Sequence, residues 1–379
     1  MTTHLAAPTG KSDLKPGRYL TLDAMRGLAA MAVAAHHLGV PWMHGGYLAV
    51  DFFFALSGFV LMLTYADRLR AGWSVKHFVA VRLIRLYPLY LVGLLIGAGY
   101  ILLHHARGGA NWQHEMVCGL PLGLMMLPSP CSHSLFPQNV PAWSLFFELM
   151  ANIAMAAVLV RLSRIQLLAV AVVANIGLIL TVALMSHSAA ALDAARYGLP
   201  VSDGGPTWPG FGIGVLRTAT AFCWGGVIAQ WPAKQRRTTT ILAPLACMVL
   251  VGLLMVDLPA SNKVWFDLAF MTLAGPGLVW LGQRIEPNVV WARPAAYVGE
   301  VSYALYAINM AFSRVYANFA EKHLLPQFLL VVLYLGALSA LSWLCVRYLD
   351  MPMRRWLNRS VLRRWRERGN ISNLASHNS

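Results

Sequence analysis

Apolar runs about as long as a bilayer is thick, roughly 20 residues each, recur along this 379-residue chain and dictate what it can fold into. They occupy residues 19–40, 47–65, 83–103, 143–160, 166–186, 211–230, 241–256, 264–281, 296–317 and 326–346. Lipid offers no partner for backbone N–H and C=O groups, so each run must bond internally and reads as a helix. The expected fold is all-α, a polytopic transmembrane bundle of about ten spans with both termini cytoplasmic. Only 12% of residues are charged, against about 25% in a soluble domain, which excludes a soluble enzyme. The 13 Trp and 17 Met supply ample surface to bury, which excludes a disordered chain.

The net charge of +15 does not point to nucleic acid, because the basic residues fall in the gaps between spans. With the N-terminus inside, 23 Lys and Arg lie on inner segments and four outside, at Arg107, Arg196, Lys263 and Lys322. Arg26, Arg217 and Arg314 remain within spans. This excess orients the chain. Residues 1–18 form a cytoplasmic tail, 19–350 the membrane domain, and 351–379 a basic cytoplasmic tail suited to anionic headgroups. The first span has no small-residue cleavage site and reads as retained. The outer loop, about 104–141, carries Pro121, Pro128, Pro130 and Pro137 around an apolar patch, expected as a re-entrant or interfacial segment able to serve as a lid. Cys118 and Cys131 share this loop, where an oxidising side would allow a disulfide, but two free thiols are the preferred expectation, since spacing alone does not establish bridging geometry. Cys223, Cys247 and Cys345 lie in spans without ligand spacing, and no metal is expected.

An ionisable side chain inside a span costs several kcal/mol unless paired or hydrated, so each is a functional candidate. Arg26 and His37 are 11 residues apart, within about 20° of one helix face and ~16 Å apart along the axis. Arg26 alone would read as a snorkelling anchor and His37 as an interfacial histidine. The shared face favours function, with a cation inside and an imidazole outside. Asp51 opens the second span after a short connection, which places it near His37, either fixing the tautomer of a general base or capping the helix. Glu148 has no basic neighbour one turn away and is expected in the outer third beside His37 and Asp51, functional or tied to Arg217 or Arg314. Arg82 and Arg85 stand at i and i+3 at the cytoplasmic edge, where two guanidinium forks suit phosphate oxygens as well as topology. The ninth span carries Glu300, Ser302, Tyr303, Tyr306 and Asn309, which on residue type alone favour packing across helices.

Cations inside and proton-handling groups outside suit a long phosphate-bearing donor. An acyl-CoA would rest its phosphates on Arg26, Arg82 and Arg85 and carry its acyl group toward His37, which deprotonates an acceptor hydroxyl. Trp143, Ser144 and Tyr303 are candidates for binding substrate and stabilising the oxyanion. A proton-coupled transporter of a small solute is the competing class, since carriers use the same residue types. No paired Gly/Pro-interrupted helices in matching halves support it. A structural scaffold would scatter its ionisable groups at random heights.

Five motifs in order resemble the integral-membrane acyltransferase family 3. They are Leu22-Asp23-Ala-Met-Arg26-Gly27 with His37; Gly45-Gly-Tyr-Leu-Ala-Val-Asp51 through Ser57-Gly58-Phe59; Arg82-x-x-Arg85-x-x-Pro88; Trp143-Ser144-Leu145-x-x-Glu148; and Ser302-Tyr303-x-Leu-Tyr306. The resemblance implies functional roles for Arg26, His37, Arg82, Arg85 and Glu148. It also implies O-acylation, most often acetylation from acetyl-CoA, of an exopolysaccharide, lipopolysaccharide or lipid-linked sugar at the outer face of a bacterial inner membrane. Polysaccharide biosynthesis machinery and membrane lipids are then the expected partners, and no nucleic acid. The family tends to end its ninth-span motif with histidine, where this chain has Asn309, which leaves His37 as the expected sole base.

Overall fold

The structure, a computed structural model, describes residues 18–105, 113–185, 202, 204–233, 237–239, 241–320 and 326–362. Most of both expected tails and residues 106–112 of the early outer loop lie outside these residues, as do Arg107, Arg196, Lys322 and the side chain of Arg314. Each expected apolar run is helical. The main helices are α1 (Leu20–His37), α2 (Ala49–Arg70), α3 (Val75–His105), a short α4 (Leu120–Leu124), α5 (Ala142–Ala157), α6 (Arg164–Met185), α7 (Phe211–Ala229) and α8 (Leu242–Leu254). They continue with α9 (Ala260–Ala269), joined by a π turn to α10 (Gly275–Gly282), then α11 (Val289–Ala320), α12 (Gln327–Cys345) and α13 (Met351–Leu357).

Among the described residues, seven helices are long and apolar enough to cross a membrane. Three of the ten expected spans fall outside that set. One of them, α8, has 13 residues. The other two are α1, which carries Asp23, Arg26, His36 and His37, and α11, which carries Arg293, Glu300, Ser302 and Asn309. These polar helices pack on each other along their length, running parallel, with Arg26 opposite Gly299 and His37 opposite Asn309. Asp23, Ser302 and Asn309 are buried in the seam between them and Arg26, His36 and His37 are half-buried, whereas Arg293 and Glu300 are exposed. Large side chains such as Ile165, Val173, Leu180 and Leu184 of α6 are instead exposed, a pattern suited to lipid rather than water.

Helix α2 meets α7 at backbone distance. A Cβ at Gly58 would overlap the carbonyl oxygen of Phe222, and one at Gly225 that of Ala55, so glycine at both positions permits the approach. One departure from an all-helical chain is a two-stranded parallel ribbon, β1 (Arg237–Thr239) with β2 (Ile285–Pro287). It seats the start of α1: Thr21 Oγ1 donates to Ile285 O at 2.7 Å, and the Leu20 N–H donates to Glu286 Oε2 at 2.9 Å. A carboxylate there satisfies an orphan donor and complements the helix dipole.

The outer loop folds back onto α3. Tyr87 Oη donates to Leu124 O at 2.9 Å, and Tyr90 Oη donates to Gly123 O, so α4 lies against α3 as a re-entrant segment would. This fold-back brings Cys118 and Cys131 to a Cα separation of 6.2 Å, and they form a disulfide rather than the two free thiols expected. The missing information was geometric, because the close approach depends on the returning chain.

Candidate active site

A cavity of about 260 Å³ opens between α1, α2, α3, α5 and α11. One face of α2 walls it from Val50 through Phe53, Phe54, Ser57 and Leu61 to Thr64 and Tyr65. At 1.5 Å per residue that wall spans about 22 Å of helix axis. Arg26 of α1, Arg82 and Arg85 of α3, Glu148 of α5, and Ser302, Tyr303 and Tyr306 of α11 bring polar groups to the same space. The three arginines expected to bind donor therefore converge, although they come from residues up to 59 positions apart along the chain.

Their partners differ. The Arg26 Nε donates to Ser302 Oγ at 2.9 Å and its Nη2 to Gly299 O at 2.5 Å, with Asp23 Oδ1 at 3.0 Å. Asp23 also pairs with Arg18. The Arg82 Nη2 donates to Glu148 Oε1 at 3.0 Å, and Ser57 Oγ donates to the same oxygen at 2.8 Å. Arg85 is exposed to the cavity and has no hydrogen bond or ion pair among the described residues. It is the cation left available to an incoming anion.

Two sequence expectations are corrected here. Glu148 does not share a layer with His37 and Asp51. Its partners are Arg82 and Ser57, and Ser57 lies six residues, about 9 Å, further along α2 than Asp51. Asp51 does not hold the imidazole. Its carboxylate takes Arg217 of α7 in a two-pronged grip, Nε to Oδ1 at 3.1 Å and Nη2 to Oδ2 at 2.7 Å, with both side chains at 1% exposure or less. Arg217 Nη1 also donates to Gly204 O at 3.1 Å. A short link between two helices brings their ends together but leaves open which neighbour a side chain faces.

Trp143 is likewise drawn away from the cavity. Its ring lies 5.4 Å from the Arg217 guanidinium carbon and rests against Gly205, where φ is +148° and a Cβ would run into the indole. Trp143 thus supports the buried Asp51–Arg217 pair, whereas the neighbouring Ser144 does line the cavity. The Ser144 hydroxyl meets Tyr306 Oη at 2.6 Å, and both groups reach Pro141 O, at 3.0 and 3.2 Å. Tyr303 Oη donates to Leu86 O at 2.5 Å.

His37 stands outside the lining. On α11 the wall ends at Tyr306, whose ring meets Phe53 edge-on at a centroid distance of 5.6 Å. One turn further along α11 lies Asn309, whose Oδ1 is 2.5 Å from His37 Nδ1. Asn309, discounted by residue type, is the side chain that meets the imidazole. A second omission is Asp267, a buried carboxylate at the start of the α9–α10 span, which accepts from Tyr47 Oη and Ser202 Oγ, both at 2.6 Å. The rule that intramembrane charges are informative already singles it out.

An acyltransferase domain family matches residues 19–347, nearly the whole helical region. The chain belongs to acyltransferase family 3. This acyltransferase is 37% identical over 158 residues to "Protein 2 in picA locus" of Rhizobium radiobacter, a match covering 37% of this chain and 82% of that protein. It is also 31% identical over 100 residues to the peptidoglycan O-acetyltransferase OatA of Listeria monocytogenes, covering 26% of this chain and 16% of OatA. The chain therefore spans only a small part of that longer relative. No solved structure matches. Among the described residues no group of His, Cys, Asp and Glu is arranged to hold a metal ion.

Proposed function

We propose that this membrane acyltransferase moves an acyl group, acetyl as the expected one, from cytoplasmic acyl-CoA to a hydroxyl of a saccharide or related acceptor on the periplasmic side of a bacterial inner membrane. The observation that carries the reading is the convergence of Arg26, Arg82 and Arg85 on a cavity whose α2 wall rises toward the level of His37. Arg85, unpaired, meets the donor's phosphates, while Arg26 and Arg82, already held by Asp23 and Glu148, shape the mouth. The thioester arm extends along α2 between apolar walls, and the Phe53–Tyr306 pair turns aside to admit it. His37 removes the acceptor hydroxyl proton, the oxygen attacks the thioester carbonyl, and the C–S bond breaks to release the CoA thiolate, which takes up a proton. The Ser144 and Tyr306 hydroxyls, paired with each other on the cavity wall, are the proposed donors to the developing oxyanion once they turn from Pro141 O. The Cys118–Cys131 disulfide supports an oxidising environment for the outer loop. The name of the Listeria relative supports a saccharide acceptor.

The test is transfer itself. Protein purified into nanodiscs is given radiolabelled acetyl-CoA and saccharide acceptors, and label is expected to leave CoA and appear on the sugar. Solute movement in proteoliposomes with no acyl transfer would support the carrier instead. Arg85→Ala separates donor binding from folding: KM for acetyl-CoA is expected to rise roughly 10- to 100-fold, as for a lost charge-assisted hydrogen bond, with melting temperature unchanged. Arg82→Ala, which strands Glu148, should lower the melting temperature as well. An unchanged donor KM in Arg85→Ala would restrict that arginine to topology.

A further inference from the structure

The hydrogen bonds behind His37 determine which of its ring nitrogens carries the proton. Asn309 is fully buried, and its Nδ2 donates to Tyr306 O at 2.7 Å and Leu305 O at 3.3 Å. Carbonyl oxygens only accept, so turning the amide over would set Oδ1 against two acceptors. Tyr334 Oη donates to Asn309 O at 3.0 Å and ties down the backbone at the same residue. The atom facing His37 Nδ1 is therefore Oδ1, and an amide oxygen also only accepts. Nδ1 must be the donor, which leaves the lone pair of the neutral ring on Nε2.

Resting on the reading of His37 as base, we infer that Asn309 is a positioning residue for acyl transfer: it holds the imidazole as the Nδ1–H tautomer and presents Nε2 to the acceptor hydroxyl. An amide does this without the negative charge that a carboxylate would bring. Beside the ring stands His36 on α1, and Tyr306 on α11 and Tyr334 on α12 bond to Asn309 behind it. Beyond His36 lie Tyr47, Lys263 and His44, the last near Asp257. Among the described residues no carboxylate is within ion-pair distance of His37. The base is thus oriented by a neutral partner, so its imidazolium gains no counter-charge when it takes the proton.

Two measurements test this. Nitrogen-15 NMR of histidine-labelled protein in nanodiscs, with His37→Ala for assignment, should place the His37 proton on Nδ1 in the parent and on a mixture of both nitrogens in Asn309→Leu. A proton on Nε2 in the parent overturns the inference whatever the variants do. In steady-state assays Asn309→Leu should lower kcat tenfold or more with KM for acetyl-CoA unchanged. Asn309→Asp, which keeps the acceptor and adds a charge, should move the acid limb of the kcat–pH profile upward by about one unit or more, because a carboxylate stabilises the imidazolium. Parent-like rates and limbs in both variants, beside an inactive His37→Ala, would leave the base standing and remove Asn309. Full activity in His37→Ala would remove both.

Discussion

Arg217→Met is expected to abolish accumulation of folded protein. The substitution leaves the Asp51 carboxylate buried at 1% exposure without its two guanidinium bonds, and stranding one member of a buried pair costs about 3–5 kcal/mol. It also removes the cation beneath the Trp143 ring, worth up to about 2 kcal/mol where desolvated. The sum is comparable to the lower end of the about 5–15 kcal/mol that holds a typical chain folded. Detergent-solubilised variant should elute aggregated in size-exclusion chromatography. Removing both charges together, as Asp51→Leu with Arg217→Met, should restore a monodisperse peak, since an apolar pair of similar volume is tolerated where a lone ion is not. A single variant that melts with the parent protein would show that water reaches the pair.

The second large effect is on chemistry. His37→Ala should reduce kcat for acetyl transfer roughly 10²- to 10⁴-fold, the usual contribution of a positioned general base. Binding of labelled acetyl-CoA should be nearly unchanged, because the imidazole lies beyond the cavity wall rather than in it. His37→Gln serves as the control for packing, since its amide can still donate to Asn309 but has no basic nitrogen. Both variants should lose transfer and keep donor affinity. Rapid transfer by either would sink the assignment of the base.

What could be read from the chain was whatever depends on a single helix. Arg26 and His37 fall on one face because helical periodicity places them there, and both turn their side chains to α11. The apolar runs announced their helices for the same reason. Pairings between helices were not legible. Asp51 and Arg217 are 166 positions apart, and nothing in either segment names the other. The position of Glu148 within its span suggests a height level with His37. Arg82 has a side chain long enough to reach a carboxylate on another helix, and that reach decided where Glu148 belongs. On residue type alone Asn309 reads as a packing contact, yet its two backbone anchors make it a fixed acceptor. The disulfide depended on a loop folding back, a tertiary event that spacing of 13 residues leaves undetermined.

The aromatic contact of Phe53 with Tyr306 at the outer limit of the α2 wall bears on the cell's energy supply. A water-filled column through the bilayer would let protons run down the electrochemical gradient, each releasing about 2.3 kcal/mol per 100 mV. On the proposed reading, in which donor and acceptor come from opposite compartments, the closed Phe53–Tyr306 contact would plug that column between turnovers and keep acyl transfer from short-circuiting the gradient.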